Sequence, residues 1–138
     1  MAVDRRKTFW PLLVAATIFW ASSHSQVAAP GIPNFDKVAH FSVYGLLATL
    51  LVRLGRGPRA VWLALLATSL YGASDEWHQY FVPGRSCELG DWLADTTGGA
   101  LAVALYRLWP WYRTRLEAPL MEKRCIENPP PVATVPPA

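Results

Sequence analysis

The stretch DEWHQYFVPGRSCELGDWLAD, residues 75–95, packs five carboxylates, an arginine, a histidine and a glutamine between two runs, 60–74 and 96–106, that hold no charge at all. Working outward, residues 38–52 carry only His40 as an ionisable group, and residues 8–23 (TFWPLLVAATIFWASS) carry none. Each of the four runs is shorter than the roughly 20 residues that cross a bilayer, but each reaches about that length when extended into its polar flank. Within VWLALLATSLYG and VYGLLATLLV there is no polar stripe to offer water, as a soluble bundle would require. At 138 residues, with 52% AVILMFWYC and 17% charged residues, the chain is read as one all-α domain of four membrane helices.

The first run raises a second reading, because Arg5, Arg6 and Lys7 precede an apolar core and Val27-Ala28-Ala29 resembles a signal-peptidase site. Pro30 would directly follow the cut, which disfavours cleavage, so the segment is read as a retained helix. Basic residues then set the orientation. Arg5, Arg6 and Lys7, Arg53, Arg56 and Arg59, and Arg107, Arg113, Arg115, Lys123 and Arg124 make eleven of thirteen on one side, leaving Lys37 and Arg85 on the other. The positive-inside rule makes both termini cytoplasmic and places the first and third loops outside. All three histidines and six of the ten acids (Asp36, Asp75, Glu76, Glu88, Asp91, Asp95) gather at that outer end.

Depth makes this gathering consequential. With a rise of about 1.5 Å per residue from Ala60, Asp75 and Glu76 lie about 22 to 24 Å along the third helix, within a hydrocarbon layer of roughly 30 Å. Buried charges there cost a few kcal/mol each unless they are paired or hydrated. Helical spacing lets them meet: Lys37, His40 and Tyr44 share a face, as do Glu76 and Gln79, and Asp91 and Asp95. Below Asp95 the stripe continues as Gly98, Gly99 and Ala102, small enough for close helix approach. Pro83-Gly84 marks a turn that aims Arg85. The expected cluster is Asp36, Lys37, His40, Glu76, Gln79, Arg85, Asp91 and Asp95.

Three motifs in this order, FDKVAHFSVYGLL, DEWHQYFVPGRS and GDWLADTTGGALA, resemble the VanZ-like family over residues 20 to about 106. The family pattern is Asp-Lys-x-x-His, then Glu-x-x-Gln followed by Arg, then Asp-x-x-x-Asn-x-x-Gly, and it falls on Asp36, Lys37, His40, Glu76, Gln79, Arg85 and Asp91. Asp95 stands where the family usually has Asn, which makes the cluster more anionic. The resemblance implies a multi-pass protein of the bacterial cytoplasmic membrane with an envelope-related role. It links the chain to teicoplanin susceptibility, since the family's namesake is associated with low-level resistance to that glycopeptide.

Two kinds of function fit the cluster. In the first, the protein acts on a lipid-linked cell-wall precursor or glycan at the outer leaflet. Glu76, His40 and Asp91 would then be the proton-transfer groups, and Asp36, Lys37, Gln79, Arg85 and Asp95 would bind the substrate. A metal variant would draw ligands from His40, Glu76, Asp91 and Asp95. The chain has no His-Glu-x-x-His pair and those groups come from three helices, so no metal or other cofactor is assigned. In the second, the network is non-enzymatic: it locks helices together, or binds a lipid head group or a partner protein. Membrane lipids are the expected surroundings, and nucleic acid is not an expected partner. His24 and His78 read as interfacial or packing residues, and the seven tryptophans as an aromatic belt. Cys87 and Cys125 fall on opposite sides and cannot pair. The organisation is a cytoplasmic start (1–7), a four-helix domain (8–109), and a basic, then Pro-rich tail (110–138) whose end, ENPPPVATVPPA, reads as extended.

Overall fold

The computed structural model describes residues 5–24 and 35–127. It is all-helical: α1 (Arg5–Ser22), α2 (Phe35–Val52), α3 (Gly57–Tyr80), α4 (Leu89–Leu108) and α5 (Pro110–Glu127), with no strand among the described residues. Residues 1–4, the Val27-Ala28-Ala29-Pro30 segment and the Pro-rich end 128–138 lie outside the described residues. The charged stretch 75–95 is mostly helix rather than loop. DEWHQY closes α3 and LGDWLAD opens α4, so only Phe81–Glu88 connects them, turning at Gly84 with φ +80°.

Small side chains decide which helices touch. α2 and α4 form the most extensive contact although α3 separates them in sequence. A Cβ added at Gly45 would meet the Gly98 carbonyl oxygen at 3.3 Å, and one added at Gly98 would run into the Phe41 carbonyl. The α3 face that packs inward repeats small groups every four residues, Ala60, Ala64, Thr68 and Gly72, and then becomes polar at Asp75, Glu76 and Gln79. Helix α1 lies against α2 and α3, where Ile18 joins Tyr44 and Leu47 in one apolar cluster. Ala48, Val52, Ala64 and Val103 form the other, towards the opposite end.

Outward-facing positions carry the large apolar groups. Leu63, Leu66 and Leu70 on α3 are 66%, 57% and 61% exposed, whereas Asp95 is fully enclosed. By length and composition α2 is apolar enough to cross a membrane. The charges at the start of α1, in the last turns of α3 and in the first turns of α4 lower the hydropathy of those helices.

The fifth helix departs from the tail expected after residue 109. Trp109, ahead of a proline, is pushed out of helical geometry (φ −110°, ψ 93°), which ends α4, and Pro110 then starts a new helix where its missing N–H costs nothing. Glu117 of α5 accepts a hydrogen bond from Arg53 Nε at 2.6 Å and pairs with Lys7 at 3.6 Å, tying three helices together at the end remote from the acidic cluster.

Candidate functional site

The first turns of α2 and α4 and the last turns of α3 meet at one end of the bundle, and their polar side chains divide into two connected groups. At the rim, Lys37 Nζ donates to Glu88 Oε2 and to Asp91 Oδ1, both at 2.9 Å, and to Asp36 Oδ2 at 3.4 Å. Lys37 thus joins α2 to the start of α4. Its ammonium, with the Ser86 hydroxyl, holds the Glu88 carboxyl below the usual carboxylate range. Glu88 also donates its backbone N–H to Glu76 Oε2 at 2.7 Å, so the first turn of α4 is capped by a carboxylate from α3.

Deeper in, His40 Nδ1 lies 2.9 Å from Asp95 Oδ1, joining α2 to α4. Asp95 fits because the facing residue on α3 is Gly72, where an added Cβ would come within 2.7 Å of Asp95 Oδ2. His40 stacks parallel to the enclosed Tyr44 ring at 6.0 Å. Gln79 donates to Asp75 Oδ2 at 3.2 Å one turn earlier on α3. Four carboxylates (Asp75, Glu76, Asp91 and Asp95) are each 5% exposed or less. Glu76 Oε1 and Asp95 Oδ2 have no hydrogen-bond partner.

Of the eight residues expected to cluster, seven converge through α2, α3 and α4. Arg85 takes a different role: it donates to the Ala21 and His24 carbonyl oxygens at 3.1 and 3.0 Å, closing the C-terminal end of α1. Two residues outside the expected set complete the site. Glu88 sits in the loop, where helical spacing has no purchase. Asp75 faces inward beside Glu76, and its i+4 relation to Gln79 was the available signal. Oxygen and nitrogen atoms of His40, Glu76 and Asp91 lie within 4.8 Å of one another, as do those of the more exposed set Asp36, Glu88 and Asp91.

Beside this network a cavity of about 230 Å³ opens between α1, α2 and α3. Its walls are apolar, from Ile18, Ala21, Phe35, Ala39 and Val43, and its polar part is Asp36, His40, Tyr44, Asp75, Gln79 and Arg85. His40 belongs to both the cavity lining and the carboxylate network, in which its Nδ1 meets Asp95.

Comparison with protein-family models gives a match to VanZ/LLP1 over residues 4–110, which includes α1 to α4 and the whole of the polar site. Comparison with curated proteins and with solved structures gave no match. The chain belongs to the VanZ-like family.

Proposed function

We propose that this VanZ-like chain is a four-pass protein of the bacterial cytoplasmic membrane, with both termini in the cytoplasm. On this reading its outward-facing cavity takes the polar portion of a lipid-linked or cell-wall ligand, and through that ligand the protein affects glycopeptide susceptibility. The observation that carries the proposal is the cavity itself, whose apolar walls continue into a floor of imidazole, carboxylate, amide and phenol groups. That combination suits a ligand with a hydrocarbon part and a polar head. The membrane setting is supported by the distribution of side chains. Leucines cover the outside of α3 while ion pairs and glycines fill the interior, an arrangement that water would penalise and lipid tolerates. His40, held by Asp95, contributes an imidazole to the lining of the cavity.

The test separates cavity from scaffold. Ala39→Phe fills the cavity from its apolar wall without touching an ion pair, Glu76→Gln removes one buried charge, and Leu65→Ala thins packing in mid-helix far from the site. Cells expressing each variant are compared for teicoplanin protection at measured membrane abundance. Ala39→Phe and Glu76→Gln should lose protection at wild-type abundance, and Leu65→Ala should change it only in step with abundance. Full protection by Ala39→Phe would remove the cavity from the function. Loss that merely tracks abundance in all three would leave the network as a device for holding helices together, since removing one partner of a buried pair costs roughly 3 to 5 kcal/mol.

A further inference from the structure

The geometry points to a divalent-cation site formed by His40, Glu76 and Asp91, one ligand from each of α2, α3 and α4. This goes beyond the proposed ligand binding and holds whichever molecule fills the cavity. One ring nitrogen of His40 and one carboxylate oxygen each of Glu76 and Asp91 already lie within 4.8 Å of one another, so small side-chain rotations bring them to metal bonds of roughly 2.0–2.2 Å. The remaining valences of these groups are arranged as a metal site needs them. His40 Nδ1 is engaged by Asp95 Oδ1, which leaves Nε2 as the ligand nitrogen; a carboxylate behind a ligating histidine fixes its tautomer and raises its basicity. Lys37 occupies Asp91 Oδ1 and the Glu88 amide occupies Glu76 Oε2. Glu76, 4% exposed, retains Oε1 with no partner at all, a buried acceptor that a cation would satisfy.

Charge balance leads to the same place. Four carboxylates that are 5% exposed or less face one ammonium, on Asp91, and one imidazole, on Asp95, while the Arg85 guanidinium, in the lining of the neighbouring cavity, makes no ion pair with any of them. Uncompensated negative charge at this depth is costly, and a divalent cation offsets two units of it. One imidazole nitrogen with two carboxylate oxygens is a mixed donor set that suits Zn²⁺ or Mn²⁺, and three protein ligands leave coordination positions open for water or for an oxygen of a bound group.

The test uses the full chain purified in detergent, stripped with chelator and titrated with Mn²⁺ and Zn²⁺. About one equivalent of either ion should bind per chain. Electron spin echo envelope modulation of the Mn²⁺ form should show nitrogen coupling from the imidazole, a readout that needs no variant to fold. In His40→Gln that coupling should disappear. Glu76→Gln and Asp91→Asn should each weaken binding at least tenfold, and Asp95→Asn, acting through His40, by roughly 10- to 100-fold. Glu117→Gln should leave affinity unchanged, because Glu117 pairs with Arg53 and Lys7 at the opposite end of the bundle. The proposal is overturned if the folded wild-type protein binds neither ion at about 1 mM, if bound Mn²⁺ shows no nitrogen coupling, or if Glu117→Gln abolishes binding in a protein that still folds.

Discussion

Single residues in this protein act through the space they leave as much as through the groups they carry. Gly98 faces the Phe41 carbonyl so closely that a methyl group cannot be accommodated without moving backbone, whereas at Gly45 the neighbour would have to yield only a few tenths of an ångström. Gly98→Ala should therefore destabilise the α2–α4 contact by about 1–3 kcal/mol and Gly45→Ala by less. Thermal unfolding in detergent gives the order, and a reversal would contradict this packing geometry. At the rim, Lys37 holds the Glu88 carboxyl below its ordinary range, and the sign of the pH effect follows. A group whose folded pKa is depressed stabilises above its unfolded pKa of about 4.3, and loses that contribution as pH falls through the lower folded value. Glu88→Gln should thus lower the melting temperature slightly at neutral pH and at low salt, because the pair is partly exposed and screened, and the difference should vanish in acid. A difference that stays constant down to pH 3 would mean that the ion pair is not its source. Much of this scale was readable from spacing alone: the Lys37, His40 and Tyr44 face and the Asp91 and Asp95 stripe are both realised. Glu88 and the vacant Gly72 opposite Asp95 were not readable, because each depends on a contact across helices that no local periodicity encodes.

At the scale of elements, the least anticipated contact is the one that fastens α1. Three side chains from the α3 region hold it: Tyr71 donates to the Ala15 carbonyl at 2.6 Å, His78 Nε2 meets Ser23 Oγ at 3.0 Å, and Arg85 closes the last carbonyls. Arginine from a turn read as a ligand-binding group by its charge; in the fold it lines the cavity and also donates to free C=O groups at the C-terminus of α1. Arg85→Ala should loosen the end of α1 by about 1 kcal/mol, equivalent to roughly fivefold faster amide hydrogen exchange at residues 19–24. Arg85→Lys should restore only part of the protection, because one ammonium lacks the second donor, Nε, that reaches the His24 carbonyl beside Nη2. Unchanged exchange in Arg85→Ala would show that Tyr71 and His78 suffice. Helix α5 escaped notice for a different reason. Its residues, PWYRTRLEAPLMEKRCIE, lack an apolar run, so its helicity depends on Pro110 at the first position and on the Glu117 ties to Arg53 and Lys7. Neither signal is visible to a search for membrane-length segments.

For the whole molecule, the all-helical class was legible because runs without charge alternate with charged stretches, although among the described residues α2 alone is long and apolar enough to cross a membrane, and the bundle was legible because small residues recur at helical intervals. Orientation rests on a separate property, the eleven-to-two division of basic residues, and it can be tested independently of the site. In the fold, Arg53 and Glu117 lie at one end of α2 while Asp36 and Lys37 lie at the other, so the two loops that flank α3 sit at opposite ends of the bundle. A topology reporter fused after Arg56 should consequently read cytoplasmic, and one fused after Ser86 should read external. Cys87, free and exposed in the α3–α4 loop, provides a check that needs no fusion. An impermeant maleimide added to intact spheroplasts should label Cys87, and Cys125 should react only after the membrane is opened. Cys87→Ser and Cys125→Ser variants assign each signal. Labelling of Cys125 from outside with Cys87 protected would invert the protein and put the cavity and its carboxylates on the cytoplasmic face, where an extracytoplasmic ligand could not reach them. Simultaneous labelling of both in sealed spheroplasts would require an even number of crossings between them, and the four-pass reading would then fail while the helix contacts at the cluster stood.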